Sequence, residues 1–120
     1  MRTLYISDLD GTLLNEHAKL SSYTISTLNK IIDRGFNFTI ATARTCATVN
    51  KILEEVNIKV PIILMNGVLI YDINTDKYLH INRLNLDDIV LILNIYKDYN
   101  VHGFMYEIKD NSLLTYYETL

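Results

Sequence analysis

Apolar and polar positions alternate along the chain in blocks that predict a strand–helix–strand–helix–strand order over its first two thirds. Thr3 to Ser7 is a short apolar run that reads as a buried strand ending at Asp8, with Gly11 breaking it. After a polar loop from Asn15 to Leu20, Ser21 or Ser22 can cap a helix whose apolar positions are Ile25, Leu28 and Ile32, with Ile31 beside them. Arg34-Gly35 supplies its C-terminal stop. Phe36 to Ala41 is a second apolar strand. A second helix begins at Thr45, where Val49, Ile52, Leu53 and Val56 fall at i, i+3, i+4 and i+7. Pro61 opens a third apolar segment, Ile62 to Met65, closed by Asn66-Gly67.

Strands that are apolar throughout, joined by helical connections, predict an α/β fold: a Rossmann-like parallel sheet with helices on both faces. Right-handed crossovers then bring the loops after all three strands to one edge, where open α/β sheets bind ligands. Beyond Gly67 the period changes. Val68 to Tyr71 and Tyr78 to Ile81 predict a β-hairpin. Asn85 can cap a third helix with Asp87 and Asp88 in its first turn and a stripe of Ile89, Ile92, Leu93 and Tyr96. Val101 to Ile108 and Leu113 to Tyr117 read as two further strands. A boundary near residues 79–84 divides an α/β core, residues 1–80, from the start of an α+β segment, residues 81–120.

Composition narrows the class. The 120 residues are 49% hydrophobic and 21% charged, enough apolar surface to exclude disorder. With a net charge of −3 and no Lys/Arg cluster, neither nucleic acid nor an anionic membrane is an expected partner. The single cysteine, Cys46, allows no internal disulfide and reads as a small buried filler. No apolar run approaches the length of about 18 that spans a bilayer, and acidic residues by position 8 argue against a signal peptide, so a cytoplasmic location is expected.

Chemistry concentrates at the expected ligand edge. Asp8 and Asp10 stand two apart at a strand end, which places both on one side. Two carboxylates about 5 Å apart repel by roughly 3 kcal/mol at an effective dielectric of 20, so the pair calls for a cation, a shared proton, or both. Thr42-Ala43-Arg44 follows the second strand and Asn66-Gly67 the third. A hydroxyl and a basic group opposite paired carboxylates suit a phosphoryl group and a divalent cation such as Mg²⁺. Gly11 lets the backbone turn and aim N–H groups at an anion.

Asp8-Leu9-Asp10-Gly11-Thr12 resembles the first motif of the haloacid dehalogenase superfamily, Asp-x-Asp-Gly-Thr, position by position. Four fixed residues would arise by chance in a chain this long at roughly 1 in 1,000. Thr39 to Arg44 is similar to the second motif, in which a Thr or Ser ends the second strand. Met65 to Asp72 resembles the Cof-type sugar-phosphatase branch, whose α/β cap follows the third strand. The resemblance implies a Mg²⁺-dependent phosphohydrolase of small phosphorylated metabolites. In it Asp8 is the nucleophile that forms an aspartyl-phosphate, and Asp10 is the acid/base. Asp8 and the backbone carbonyl of Asp10 hold Mg²⁺, and Thr42 binds a phosphoryl oxygen. Thr12 fixes the loop and lies by the phosphate, and Arg44, Asn66 and Gly67 contact phosphate or substrate. The family's later Lys and acidic motifs have no counterpart here. The chain is therefore expected to be the N-terminal part of a longer phosphatase, inactive alone, with a partial cap whose apolar face favours self-association. Two other readings compete: a receiver-like phospho-acceptor domain, which needs its acceptor Asp where Met65-Asn66-Gly67 stands, and a non-catalytic remnant that binds a partner.

Overall fold

A computed structural model describes residues 3–117. The chain divides into two compact units, one running to Asn82 and the other starting at Arg83.

The first unit holds β1 (Leu4–Ser7), α1 (Ser22–Asp33), β2 (Asn37–Ile40), α2 (Cys46–Ile52), β3 (Ile62–Leu64), β4 (Leu69–Asp72) and β5 (Lys77–Ile81). β1 and β2 pair in parallel, with Leu4 opposite Asn37 and Ser7 opposite Ile40. A single parallel bridge between Ala41 and Ile63 continues the order to β3. β4 and β5 then add antiparallel strands. The ends of β1, β2 and β3 thus meet at one edge, as the α/β pattern requires.

The core lies between α1, α2 and the middle of this order. Leu28 and Ile32 of α1, Ile40 of β2, Val49 of α2, and Ile62 and Leu64 of β3 are all buried. Ser21 is the cap of α1, its hydroxyl accepting the Thr24 N–H at 3.1 Å. Gly35, at φ 91°, closes the helix with its N–H on Ile32 O at 2.9 Å, a left-handed geometry that glycine adopts freely. α2 stops at Ile52, and the expected stripe outlives it: Leu53 and Val56 are buried from the turn that follows, while Ile52 is half-buried. A bond from Val56 N–H to Leu53 O at 2.9 Å shapes that turn.

β1 corrects an expectation. Its residues were expected to be buried, but Leu4, Tyr5 and Ile6 are 51%, 48% and 52% exposed. The cause is pairing on one side only: among the described residues β1 has β2 as its sole neighbour.

The second unit holds α3 (Leu86–Tyr99) and the hairpin β6 (Phe104–Lys109) and β7 (Ser112–Tyr117). Asn85 caps α3 by accepting the Asp88 N–H at 2.8 Å, and its amide donates to the Asp88 carboxylate at 2.7 Å. Tyr96 lies over Gly103, where an added Cβ would come within 2.5 Å of its ring. Of the expected helix stripe, Ile89, Ile92 and Tyr96 are half-buried and Leu93 is exposed.

Candidate active site

A cleft of about 480 Å³ opens at the strand-end edge, lined by Asp8, Asp10, Thr42, Ala43, Asn66 and Gly67 among others. Three loops make it. The first is not the strand continuation that the i, i+2 spacing predicts. β1 ends at Ser7, and Leu9–Leu13 forms one wide π-type turn closed by Leu14 N–H to Leu9 O at 3.0 Å. Inside it Asp10 is extended and Gly11 sits at φ 75°, which a Cβ would strain. The two carboxylates share the cleft because the backbone curls, not because a pleat aligns them. Leu9, wholly buried, anchors the turn.

The other two loops are stitched together by backbone. Thr42 N–H donates to Ile63 O at 3.0 Å, Asn66 N–H to Thr42 O at 3.0 Å, and Met65 N–H to Arg44 O at 3.1 Å. Met65, Asn66 and Gly67 have φ of 50°, 56° and 92° in succession. A methionine in the left-handed region costs of order 1–3 kcal/mol, and such strain gathers at functional sites. Asn66-Gly67 is therefore both the connection between β3 and β4 and a wall of the cleft.

The expected residues behave differently from one another. Asp8 is exposed, and its Oδ1 accepts the Leu9 N–H at 2.7 Å. Thr42 is buried at 4% exposure, and its hydroxyl accepts the Arg44 N–H at 3.2 Å. Thr12 is exposed in the wide turn and does not line the cleft. Arg44 forms a two-pronged bridge to Asp10, Nε to Oδ2 at 2.8 Å and Nη2 to Oδ1 at 2.7 Å. These hydrogen bonds, with a smaller contribution from charge attraction, hold the Asp10 carboxyl below the usual carboxylate range. They raise Arg44 further in turn. Asp10 is thus an anion already neutralised by a guanidinium: the strand-end topology puts Arg44 opposite the carboxylates, as expected, and the direct bridge is what the structure adds.

A divalent cation fits what remains. No group of three or more His, Cys, Asp or Glu side chains able to hold a metal occurs among the described residues. The second carboxylate oxygen of Asp8 and the Asp10 carbonyl suit Mg²⁺, which keeps several waters. The Asp10 side chain is occupied by Arg44 and would not need to move.

Sequence reasoning also missed a polar network beside α2. Cys46, expected as a buried filler, is half-buried with its Sγ 2.8 Å from the Tyr78 hydroxyl. The Tyr71 hydroxyl donates to Asp76 and accepts from Asn50 Nδ2 at 3.3 Å. Burial, foremost, pushes both tyrosines' ionisation upward. The network ties the β4–β5 hairpin to α2, and no local spacing signals it.

A family description, haloacid dehalogenase-like hydrolase, matches residues 5–119. The chain belongs to this family. It is 28% identical over 112 residues to the 5-amino-6-(5-phospho-D-ribitylamino)uracil phosphatase YitU of Bacillus subtilis, covering 92% of this chain and 42% of that protein. It is 25% identical over 99 residues to the pyridoxal phosphate phosphatase YbhA of Escherichia coli, covering 82% and 36%. A solved haloacid dehalogenase-like hydrolase from B. subtilis superposes with a TM-score of 0.72 at 26% identity, over 88% of this chain and 38% of that one. The chain therefore spans less than half the length of the curated relatives it matches. No helix among the described residues is long and apolar enough to cross a membrane.

Proposed function

We propose that this chain carries the nucleophile half of a Mg²⁺-dependent phosphohydrolase acting on small phosphorylated metabolites. The observation that carries the reading is the cleft itself, where Asp8, Asp10, Thr42 and Asn66-Gly67 converge at the ends of three neighbouring strands. Relatives named for phosphatase activity on pyridoxal phosphate and on a ribityl-pyrimidine phosphate support the substrate class.

In this reading the free oxygen of Asp8 attacks phosphorus, the bond to the leaving oxygen breaks, and an aspartyl-phosphate forms on Asp8. Thr42 and the Asn66-Gly67 backbone position the phosphoryl oxygens. Asp8 and the Asp10 carbonyl would hold Mg²⁺, which would supply charge neutralisation there. Asp10 has two tasks, protonating the leaving oxygen and then taking a proton from the water that hydrolyses the intermediate. The Arg44 bridge favours the anion, so the arrangement is set for the second task. For the first, the guanidinium must swing away, and the incoming phosphate is the anion that could draw it. Self-association through the apolar surface of the second unit belongs to the same proposal.

The receiver-like alternative finds no support: β4 and β5 run antiparallel, and Met65-Asn66-Gly67 occupies the acceptor position. The test is covalent trapping. The chain, put in place of the stretch it matches in the B. subtilis YitU phosphatase, is mixed with pyridoxal phosphate or acetyl phosphate and Mg²⁺, quenched in acid and digested for peptide mass mapping. Phosphate on Asp8, lost in Asp8→Asn, is expected. Label on any other residue, or equal label in the variant, would sink the reading.

A further inference from the structure

We infer that the side chain of Asn66 determines specificity: its carboxamide reads a hydroxyl on the leaving group, so that the cleft selects phosphate esters of polyhydroxylated alcohols over those of plain ones. The inference rests on the phosphatase reading and adds a substrate feature to it. Four polar side chains line the cleft, those of Asp8, Asp10, Thr42 and Asn66. Three are engaged. Asp8 accepts the Leu9 N–H, Asp10 is bridged by Arg44, and the Thr42 hydroxyl accepts the Arg44 N–H. The fourth, on exposed Asn66, has no hydrogen-bond partner among the described residues.

Exposure alone would leave an asparagine to water, but the backbone beneath this one is held. Met65 N–H donates to Arg44 O and Asn66 N–H to Thr42 O, so two amides tie the turn to the loop after β2. Met65 and Asn66 sit in the left-handed region at φ 50° and 56°, the first at a cost and the second with ease. A polar group on so fixed a backbone loses little further freedom when it binds. Position sets what it can read. Neighbouring strands lie about 4.8 Å apart, so in the order β1-β2-β3 the loop bearing Asn66 stands about 10 Å from the one bearing Asp8. A phosphorus under attack lies about 3–3.5 Å from the Asp8 oxygen. The phosphoryl group therefore fills the space from Asp8 to the near side of the Asn66-Gly67 turn, and the atoms beyond the leaving oxygen come within reach of the Asn66 side chain. A carboxamide offers donors and an acceptor side by side, which a hydroxyl can meet with its own lone pairs and proton. It carries no charge to repel the phosphate.

The test pairs glycerol 3-phosphate with propyl phosphate, which lacks its hydroxyls and is otherwise the same ester. The enzyme is the B. subtilis YitU phosphatase with this whole chain in place of the stretch it matches. The ratio of kcat/KM for the two esters is compared between this chimera and its Asn66→Gly variant. Glycine adopts the left-handed backbone freely, so the turn is kept and the carboxamide is lost. The ratio should fall by about 10-fold, which is what one hydrogen bond contributes. In parallel the isotope-labelled chain alone is titrated with each ester, and the side-chain amide resonances of Asn66 are followed by NMR. They should move with glycerol 3-phosphate and stay in place with propyl phosphate. An unchanged ratio overturns the inference, whether both esters slow alike or neither slows. So does an amide shift that is the same for both esters or absent for both. No turnover of either ester by the chimera removes the phosphatase reading, and the NMR titration then decides the inference by itself; turnover with an unchanged ratio keeps that reading and removes the role of Asn66.

Discussion

In the first unit Leu9, Ile40, Val49, Ile62 and Leu64 are completely out of solvent, and a buried Tyr71 ties the hairpin to α2. In the second unit no described residue is buried, and Leu91, Leu93, Phe104 and Tyr117 are half or more exposed. Each fully buried aliphatic side chain contributes about 1.5–3 kcal/mol, so the first unit has a core and the second has only partial cover. Units below about 40 residues seldom hold themselves together without a disulfide, a metal or a partner. Charge divides in the same way. The sequence of the second unit has three basic residues, Arg83, Lys97 and Lys109, against six acidic ones, Asp87, Asp88, Asp98, Glu107, Asp110 and Glu118, so the whole net charge of −3 belongs to it. The lesson is that the candidate catalytic groups were placed on the part of the chain that can hold them still.

Core substitutions break this contrast most directly. Ile40→Ala, at a wholly buried position of β2, should cost about 2–5 kcal/mol by urea denaturation. Leu91→Ala, 58% exposed on α3, should cost about 0.5 kcal/mol or less. Comparable losses would mean that the second unit is packed as tightly as the first. Next in size is the cap of α3. Asn85→Ala removes the acceptor for Asp88 N–H and should lower stability of the second unit by about 1 kcal/mol. Hydrogen exchange should show the loss in α3 and leave β2 and β3 untouched. If β2 and β3 lose protection as well, the two units unfold together and the comparison fails.

Self-association sharpens the charge half of the comparison. Two copies meeting through their second units bring acidic surfaces together, and that repulsion is screened by salt. Sedimentation should therefore show more dimer at 0.5 M salt than at about 0.05 M, where the screening length is longer. The opposite trend would point to an attractive ionic contact instead.

Much of the fold was legible because it rests on local periodicity. The alternation of apolar runs with the Val49-Ile52-Leu53 stripe gave the parallel strand–helix order, and Ser21 and Asn85 cap the helices that follow them. What stayed hidden depends on partners distant in sequence. β1 looked buried because its composition answers to a neighbour on each side, and the described residues supply one. The cleft was legible at Asp8, Asp10, Thr42 and Asn66-Gly67, since strand ends of a parallel sheet converge by topology. Its geometry was not, because the wide Leu9–Leu13 turn follows from one positive φ at Gly11. The Cys46–Tyr78 contact joins residues 32 apart, and no spacing rule reaches that far. Arg44 was placed opposite the carboxylates by the strand-end topology, and the direct bridge to Asp10 is what the structure adds.

The smallest effect is a pair of titrations, one in each unit. Asp10 is held low by Arg44, so its bridge stabilises the fold above the ordinary aspartate value near 3.9 and is lost as pH falls through the lower folded value. Tyr116 is held high, chiefly by its 2.7 Å hydrogen bond to Glu107 across β6 and β7. That bond stabilises below the ordinary tyrosine value near 10 and is lost as pH rises through the higher folded one. Both groups are exposed, so the readout is NMR of the two side chains rather than unfolding. Arg44→Gln should lift the Asp10 midpoint to the ordinary range and leave Tyr116 alone. Glu107→Gln should drop the Tyr116 midpoint and leave Asp10 alone. An Asp10 midpoint unmoved by Arg44→Gln would mean that the guanidinium does not sit on the carboxylate in solution. The need for Arg44 to swing away from Asp10 at the start of the reaction would then disappear.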